Sequence, residues 1–132
     1  MAFVVDATDT ALEVPMKFLL LLHDDSAAVA AHTPDERRAM VEAHIAYAAR
    51  LRERGALVLG EPIADPDQAR TIRFPANGGA PTVTDGPFVE AKEALGGFYV
   101  IDCADERDAL ALAAEVPRSP GLVAEVLPIP EV

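Results

Sequence analysis

The chain has little cysteine, few aromatic residues and little positive charge. Cys103 is the single cysteine among 132 residues, which excludes an internal disulfide and a Cys-x-x-Cys zinc motif. Lys and Arg total 11 against 22 Asp and Glu, so the formal net charge is −11. Because nucleic acids and anionic membrane surfaces are bound through basic patches, the charge argues against both as partners.

Long apolar runs and ligand-binding motifs are also missing from the sequence. No apolar run approaches the roughly 18 residues that a membrane-spanning helix needs. A glycine-rich phosphate loop is absent, and the spacing of His23, His32 and His44 is not typical of a metal site. We therefore expect a cytoplasmic protein without a metal or another cofactor, because a lone thiol also fits a reducing compartment.

The length and the apolar content of 51% suit one ordinary domain with a proper core. Residues 1–15 carry three acidic residues and no basic residue, so they lack the charge pattern of a secretory signal. We expect residues 1–15 to form a loosely ordered leader and residues 16–132 to form a single domain.

Strand and helix patterns alternate along the chain. Thr33 and Glu36 can form a capping box at the start of a helix that ends before Gly55. A second helix should start within residues 102–105, with Asp105 and Glu106 in its first turn, and end at Pro117. Four short apolar segments have the length and composition of strands, at residues 17–22, 56–59, 97–102 and 122–127.

Turn residues set the expected ends of these strands. The polar segment 23–26 should end the first strand, and the segment 60–62, Gly-Glu-Pro, should break the second. Pro128 should terminate the last strand.

A hairpin separates the two β-α-β halves. Its strands are expected at 69–74 and 81–84, joined through the turn signal Asn77-Gly78-Gly79. The resulting order predicts an α+β class, with a ferredoxin-like βαββαβ fold that contains an inserted β-hairpin. If both helices cover one face of the sheet, the other face is left apolar, and a second copy of the chain would cover it. We therefore expect a homodimer.

His44 is the residue best suited to chemistry. It shares one helical stripe with apolar residues such as Met40, Tyr47 and Leu51, so it should face the sheet. An unperturbed pKa near 6.5 suits a histidine to proton transfer at neutral pH. A histidine in this position is also commonly a core or interface residue with a satisfied hydrogen bond, and this alternative stays open.

The segment 84–99 contains the densest cluster of turn and ionisable residues. Asp85-Gly86-Pro87 is turn chemistry, and Glu90, Lys92 and Glu93 add charges before Gly96-Gly97 leads into a strand. The segment is interpreted either as a solvated acidic loop between strands or as a loop that borders a pocket. His23, at an expected strand end, is either exposed or at the pocket rim.

This segment resembles the signature of a known family. The resemblance is to the YCII-related family in its DGPF-motif branch, and it rests on Asp85-Gly86-Pro87-Phe88, Glu90, Lys92-Glu93 and Gly96-Gly97-Phe98-Tyr99. The segments 16–22 and 123–126 resemble the family too. The resemblance implies a ferredoxin-like domain that dimerises face to face as a dimeric α/β barrel. It implies no settled activity, although some relatives occur near extracytoplasmic-function sigma factors.

The resemblance also implies roles for individual residues. His44, followed by the end of its helix and by Gly55, matches the position of the family's catalytic histidine. The usual partner is an aspartate directly before a proline near the end of the second helix. Val116 occupies that position here, before Pro117, and Glu115 lies one residue earlier. Glu115 and Asp85 are therefore the two candidates for the missing partner.

Three functions are compatible with these residues. The first is a cofactor-independent enzyme or binding protein for a small acidic or polar metabolite, with His44 as acid/base and Asp85 as its partner. In this hypothesis the pocket is bordered by His23, Glu90, Lys92, Glu93 and Tyr99. The second is a non-catalytic regulatory or protein-binding module, with a link to sigma-factor-dependent transcription. The third is a purely structural signature, in which Asp85 caps a turn, Lys92 pairs with a carboxylate and His44 makes a buried hydrogen bond.

Overall fold

The computed structural model describes residues 16–131, so the leader expected over residues 1–15 lies outside the described residues. The described chain contains six strands and three α-helices, with a short 3₁₀ turn at Pro66–Gln68. In chain order the elements are β1 (Met16–Asp25), α1 (Ser26–Ala30), α2 (Pro34–Glu53), β2 (Leu57–Pro62), β3 (Arg70–Arg73), β4 (Thr82–Asp85), β5 (Glu93–Cys103), α3 (Glu106–Ala113) and β6 (Val123–Ile129).

Four strands form the main sheet, in the order β2-β5-β1-β6, and every neighbouring pair is antiparallel. This strand order with its helices is α+β and is compatible with a ferredoxin-like fold. Among residues 16–131, β3 and β4 pair only with each other and form a separate two-stranded antiparallel sheet. The buried core cluster contains residues of the main sheet and none of β3 or β4.

α2 begins where its capping residues predict. The hydroxyl of Thr33 accepts a hydrogen bond from the Glu36 amide at 3.1 Å, and the Glu36 carboxylate accepts one from the Thr33 amide at 2.8 Å. These two bonds satisfy amides that the first turn of α2 would leave without partners. Gly55 ends the helix with a φ of 72°, a conformation that glycine adopts without steric cost. Asp105 caps α3 in the same manner as Thr33 caps α2.

The core lies between the main sheet and the two longer helices. Phe18, Leu20 and Leu22 alternate along β1 and are buried, because successive side chains of a strand point to opposite faces. They pack in one cluster with residues of α2 and α3, among them Tyr47, Leu51, Ala109 and Leu112. The opposite face of the sheet carries the half-buried Leu19, Leu21, Phe98 and Val100.

All four strands of the main sheet are longer than the sequence predicted, and the difference is largest for β1 and β5. β1 does not end at His23, because His23, Asp24 and Asp25 pair with the first residues of β5. The ladder shifts register between Leu22 and His23, so Gly96 of β5 is skipped. β5 accordingly begins at Glu93, inside the segment that was interpreted as a loop.

Proline does not break the two outer strands as expected. Pro62 pairs with Gly97 at the end of β2, and Pro128 pairs with Phe18 within β6. Both β2 and β6 are edge strands, and an edge strand tolerates a residue without an amide hydrogen because one of its sides faces no neighbour. α3 ends at Ala113, before Pro117, and the short α1 was not predicted.

Candidate functional site

A cavity of about 640 Å³ lies on the helix side of the main sheet. It is bordered by the end of β1, by α1 and α2, by β2, by the first half of β5 and by residues 117–122. Most of the wall is apolar, and its polar side chains include those of Asp24, His44, Glu61, Tyr99 and Ser119. A cavity of this size and character is typical of a small-molecule site.

His44 and Tyr99 meet at the wall of the cavity. The Nδ1 atom of His44 and the hydroxyl of Tyr99 share a hydrogen bond of 2.7 Å. Their rings are nearly parallel, with an interplanar angle of 17° and centroids 5.9 Å apart. α2 supplies the histidine and β5 supplies the tyrosine, 55 positions later in the chain. The helical stripe thus brings His44 to the sheet, as its spacing predicted.

Tyr99 is itself fixed by two neighbours. Tyr47 contacts its ring edge to face, with centroids 5.2 Å apart, and the hydroxyl of Tyr47 donates a hydrogen bond to the Leu112 carbonyl at 2.7 Å. Gly60 lies directly opposite Tyr99 in the ladder, and a Cβ atom there would lie only 2.7 Å from the Cε1 atom of Tyr99, closer still to Cδ1. Gly60 therefore leaves the space that the tyrosine ring occupies.

Burial keeps both members of the pair uncharged. It lowers the pKa of His44 below the ordinary value of 6.5, an effect that the nearby Asp24 carboxylate opposes. Burial likewise raises the pKa of Tyr99 above 10.0. At neutral pH the site therefore presents a neutral imidazole next to a neutral phenol, and the imidazole can accept a proton as well as donate one.

Asp24 is the carboxyl group of the cavity wall whose charge acts on His44. Ser119 donates a hydrogen bond to its Oδ2 atom at 3.2 Å. Burial raises the pKa of Asp24, and the Ser119 hydrogen bond works in the opposite direction. Gly96 makes room for this carboxyl group, because a Cβ atom at Gly96 would lie 2.9 Å from the same Oδ2 atom.

The sequence singled out Tyr99 and His44 but missed Asp24 and Ser119. Asp24 was assigned to a polar segment that ends β1, whereas β1 continues and places Asp24 on the same face as Leu20 and Leu22. Alternation with these two leucines was the signal that could have identified it. Ser119 lies in the irregular segment after α3, where no periodicity marks a residue.

Asp85, the predicted partner of His44, lies elsewhere. It ends β4 in the small sheet, its side chain is 89% exposed, and its Oδ1 atom lies 3.1 Å from Nε of Arg70. It is not among the residues that line the cavity. Glu115, the other candidate partner, is exposed and also does not line the cavity. Within residues 16–131, Asp24 takes the place in the cavity that was expected for these residues.

The other predicted border residues also lie outside the cavity wall. Glu90, Lys92 and Glu93 are exposed, and Lys92 lies 3.8 Å from the Asp25 carboxylate through its Nζ atom. His23 points to the opposite face of the sheet, where its Nε2 atom lies 2.6 Å from Oε1 of Glu125. Of the seven predicted site residues, the structure brings only His44 and Tyr99 together in the cavity.

Two further features, a cluster of metal ligands and a membrane-spanning helix, are absent from the part of the chain that the structure describes. Between residues 16 and 131, no three His, Cys, Asp or Glu side chains are grouped in a way that could hold a metal ion. Over the same range, no helix is both long and apolar enough to cross a membrane.

Comparison with known proteins confirms the YCII-related part of the resemblance, whereas the DGPF-motif branch stays a prediction. The model of the YCII-related domain matches residues 16–130. The chain is also similar to "Uncharacterized protein R00369" of Rhizobium meliloti (strain 1021), with 33% identity over 101 residues that cover 76% of this chain and 80% of the relative. The family match extends over nearly all of the residues that form the sheet, the helices and the cavity. The chain therefore belongs to the YCII-related family.

Proposed function

We propose that the protein is a cofactor-independent enzyme or binding protein for a small polar molecule, with His44 as the acid/base. The observation that carries the proposal is the 2.7 Å hydrogen bond between His44 and Tyr99 at the wall of a cavity of about 640 Å³. Acid/base catalysis needs a proton carrier with a suitable pKa, held within reach of a bound substrate. The pair supplies the carrier, and the cavity supplies the room.

The geometry assigns a role to each ring nitrogen of His44. Nδ1 is engaged by the Tyr99 hydroxyl, so Nε2 is the nitrogen left to exchange a proton with a ligand. When Nε2 takes a proton, Nδ1–H donates to the tyrosine oxygen and the bond is kept. Tyr99 therefore holds the imidazole in one orientation in both protonation states. Asp24 contributes negative charge that favours the protonated imidazole.

A thermal-shift screen of small polar metabolites, weak acids, lactones and phenols tests the proposal. A ligand present at about 100 times its dissociation constant adds about 2.7 kcal/mol of stability. We expect at least one compound to stabilise the wild type and to lose this effect with His44→Gln. Ala46→Gln is the matched control, because it places the same side chain on an exposed position of α2. Equal stabilisation of all three proteins would contradict a site at His44.

Turnover is tested next with any compound that binds through His44. We expect Tyr99→Phe to lower kcat more than it raises KM, because the phenylalanine retains the ring and loses the hydroxyl that orients the imidazole. An unchanged kcat in Tyr99→Phe would remove the tyrosine from the mechanism, and no turnover in the wild type would leave a binding protein.

We also propose that the protein is a homodimer joined through the open face of the main sheet. That face carries Leu19, Leu21, Phe98 and Val100, whereas the buried residues of both longer helices pack on the other face. In a dimer with a two-fold axis, this face of one chain would pack against the same face of a second chain, and both faces would be buried. Light scattering should give twice the mass of the chain for the wild type and a monomer mass for Leu21→Asp. A folded wild-type monomer at micromolar concentration would refute the proposal.

A non-catalytic protein-binding module is the second candidate, and one observation favours it. Phe88 of the signature and its neighbour Val89 are 74% and 64% exposed and lie outside the cavity wall. Exposed apolar side chains beside the acidic Glu90 and Glu93 suit a basic, partly apolar protein segment. A cationic amphipathic peptide should then bind the wild type and bind Phe88→Ser more weakly, whereas His44→Gln should leave its affinity unchanged. Equal affinity for the wild type and Phe88→Ser would exclude this surface.

A further inference from the structure

We propose that the cavity selects ligands that have an apolar body and a neutral or cationic polar group, and that it discriminates against carboxylates and phosphates. This inference rests on the proposed small-molecule function and names its substrate class. Four features of the cavity support it: the charge of the wall, the state of His44, the place of the one arginine and the apolar surface.

Acidic side chains outnumber permanently cationic ones around the cavity. Asp24, Glu61 and Asp65 line it, and Arg52 is the only lysine or arginine among its lining residues. Asp24 is the most enclosed of the three carboxyl groups, and Glu61 and Asp65 are exposed at the rim. An anion that enters must approach these groups, and the juxtaposition of like charges disfavours its binding.

His44 does not supply the positive charge that an anion would need. Burial lowers its pKa, so the imidazole is neutral at neutral pH. A neutral imidazole and a neutral phenol offer hydrogen bonds to an alcohol, an amine or a carbonyl group without a preference for anions. His32 also lines the cavity, is half-buried and lies close enough to Asp24 to interact with its charge.

Arg52 cannot replace the missing inner cation. It lies in the last turn of α2, two turns beyond His44, and its side chain is exposed to solvent. A guanidinium group binds a carboxylate strongly when the pair is held in a fixed, desolvated geometry, and an exposed arginine holds it weakly. Anion binding at Arg52 would therefore leave the ligand outside the region that His44 reaches.

The same acidic side chains that disfavour an anionic ligand favour the binding of a cationic one. The Asp24 carboxylate is half-buried and accepts one hydrogen bond from Ser119. An ammonium group placed next to it would restore a favourable charge environment. The apolar remainder of such a ligand would contact side chains that are otherwise exposed at the cavity, including Val41, Ile45, Val58 and Ile63.

A series of three ligands with one apolar body tests the inference. We would measure the dissociation constants of 2-phenylethylamine, 2-phenylethanol and 3-phenylpropanoate by calorimetry at pH 7 and fixed salt. We expect the carboxylate to bind at least about tenfold more weakly than the amine, because only the carboxylate meets like charges. A carboxylate that binds as tightly as the amine, or more tightly, would overturn the inference.

Asp24→Asn locates the discrimination within the cavity. This variant keeps the size and the Ser119 hydrogen-bond acceptor while removing the charge, so the ratio of amine to carboxylate affinity should fall by about tenfold. Asp67→Asn is the control, since Asp67 is exposed and does not line the cavity. If the affinity ratio falls equally in both variants, the overall charge of the protein determines the ratio, and the assignment to Asp24 is overturned.

The outcomes separate this inference from the proposed function. Tight binding of the carboxylate that is lost with His44→Gln would refute the charge selection and support the site at His44. Amine-selective binding that persists in His44→Gln would support the charge selection and refute the role of His44. Binding by none of the three compounds would overturn the inference, and the metabolite screen would still decide the function.

Discussion

Gly60 is the position at which one added methyl group should disturb the site most. It lies directly opposite Tyr99 in the ladder between β2 and β5. A Cβ atom there would lie 2.7 Å from Cε1 of the tyrosine, closer to Cδ1, and 3.3 Å from the Phe98 carbonyl oxygen. Carbon atoms in contact prefer a separation of about 3.5–4.0 Å, so Gly60→Ala forces the tyrosine ring to move.

The expected cost follows from two opposing effects. In an extended strand without a clash, Gly→Ala stabilises a protein by about 0.4–1 kcal/mol, because alanine loses less chain entropy on folding. Overpacking in a tight contact costs about 1–3 kcal/mol. The tyrosine is also held by Tyr47 and by His44, which limits its retreat. We therefore expect Gly60→Ala to lower the free energy of unfolding by about 1–2 kcal/mol.

Urea unfolding followed by circular dichroism measures this cost, and a double variant identifies its cause. Tyr99→Leu removes the ring atoms that the new methyl group would meet, so Gly60→Ala should cost little in that background. A coupling of about 1 kcal/mol or more is expected for two side chains in contact. If Gly60→Ala is stabilising, or if its cost is the same with and without the tyrosine ring, the proposed clash is refuted.

Three further variants and one labelling experiment test other parts of the structure. Burial lowers the pKa of His44, so its contribution to stability is complete above about pH 6.5 and is lost as pH falls toward the folded pKa; urea midpoints should therefore fall more steeply between pH 6.5 and 5 for the wild type than for His44→Gln. Burial raises the pKa of Asp24, so Asp24→Asn should be more stable than the wild type at neutral pH, with a gain that shrinks as pH falls toward 3.8. Tyr47→Phe should cost about 1 kcal/mol in urea unfolding, because the Leu112 carbonyl keeps the Glu115 amide as a donor. Burial raises the pKa of Cys103 to about 11, so iodoacetamide should label the native thiol far more slowly than the unfolded one at pH 8.

The long helix α2 was the most predictable part of the fold, because its signals are local. Thr33, Glu36 and Gly55 lie within one segment, and each marks a boundary through contacts with its near neighbours. The stripe that contains His44 needed only the period of the helix to be assigned to the sheet side. These features depend on a few adjacent residues and so can be inferred from the sequence alone.

The strand ends were less predictable, because they depend on the partner strand. Asp24 and Asp25 form part of β1 only because β5 begins before Gly97, at Glu93, and its first residues pair with them after a shift in register. Pro62 and Pro128 are tolerated because β2 and β6 are at the edges of the sheet, and strand order is a property of the whole fold. The residues next to a proline do not reveal the strand order, so the sequence could not show that these prolines lie in edge strands.

The candidate site was half predictable for the same reason. His44 was identified from a local pattern, whereas its contact with Tyr99 depends on the packing of α2 against the sheet. Asp85 was favoured as a partner because it belongs to a dense cluster of charges in the sequence. Asp85 is near Tyr99 in the sequence but does not reach the cavity that Tyr99 lines. The reason is that Asp85 belongs to β4, which pairs with β3 and not with the main sheet.

The segment 84–99 divides into two parts with different physical tasks. Its first part ends the small sheet and exposes Phe88, whereas its second part begins β5 and forms one wall of the cavity. In the second part Gly96 accommodates the Asp24 carboxylate, and two strand positions beyond Gly97 the chain presents Tyr99 to His44. Gly96 is therefore needed because the strand passes the Asp24 side chain, whereas a Cβ atom at Gly97 would lie 3.2 Å from the Glu61 carbonyl oxygen of β2. Any chemistry at His44 consequently depends on the second part, and a protein partner that binds this segment would contact the first.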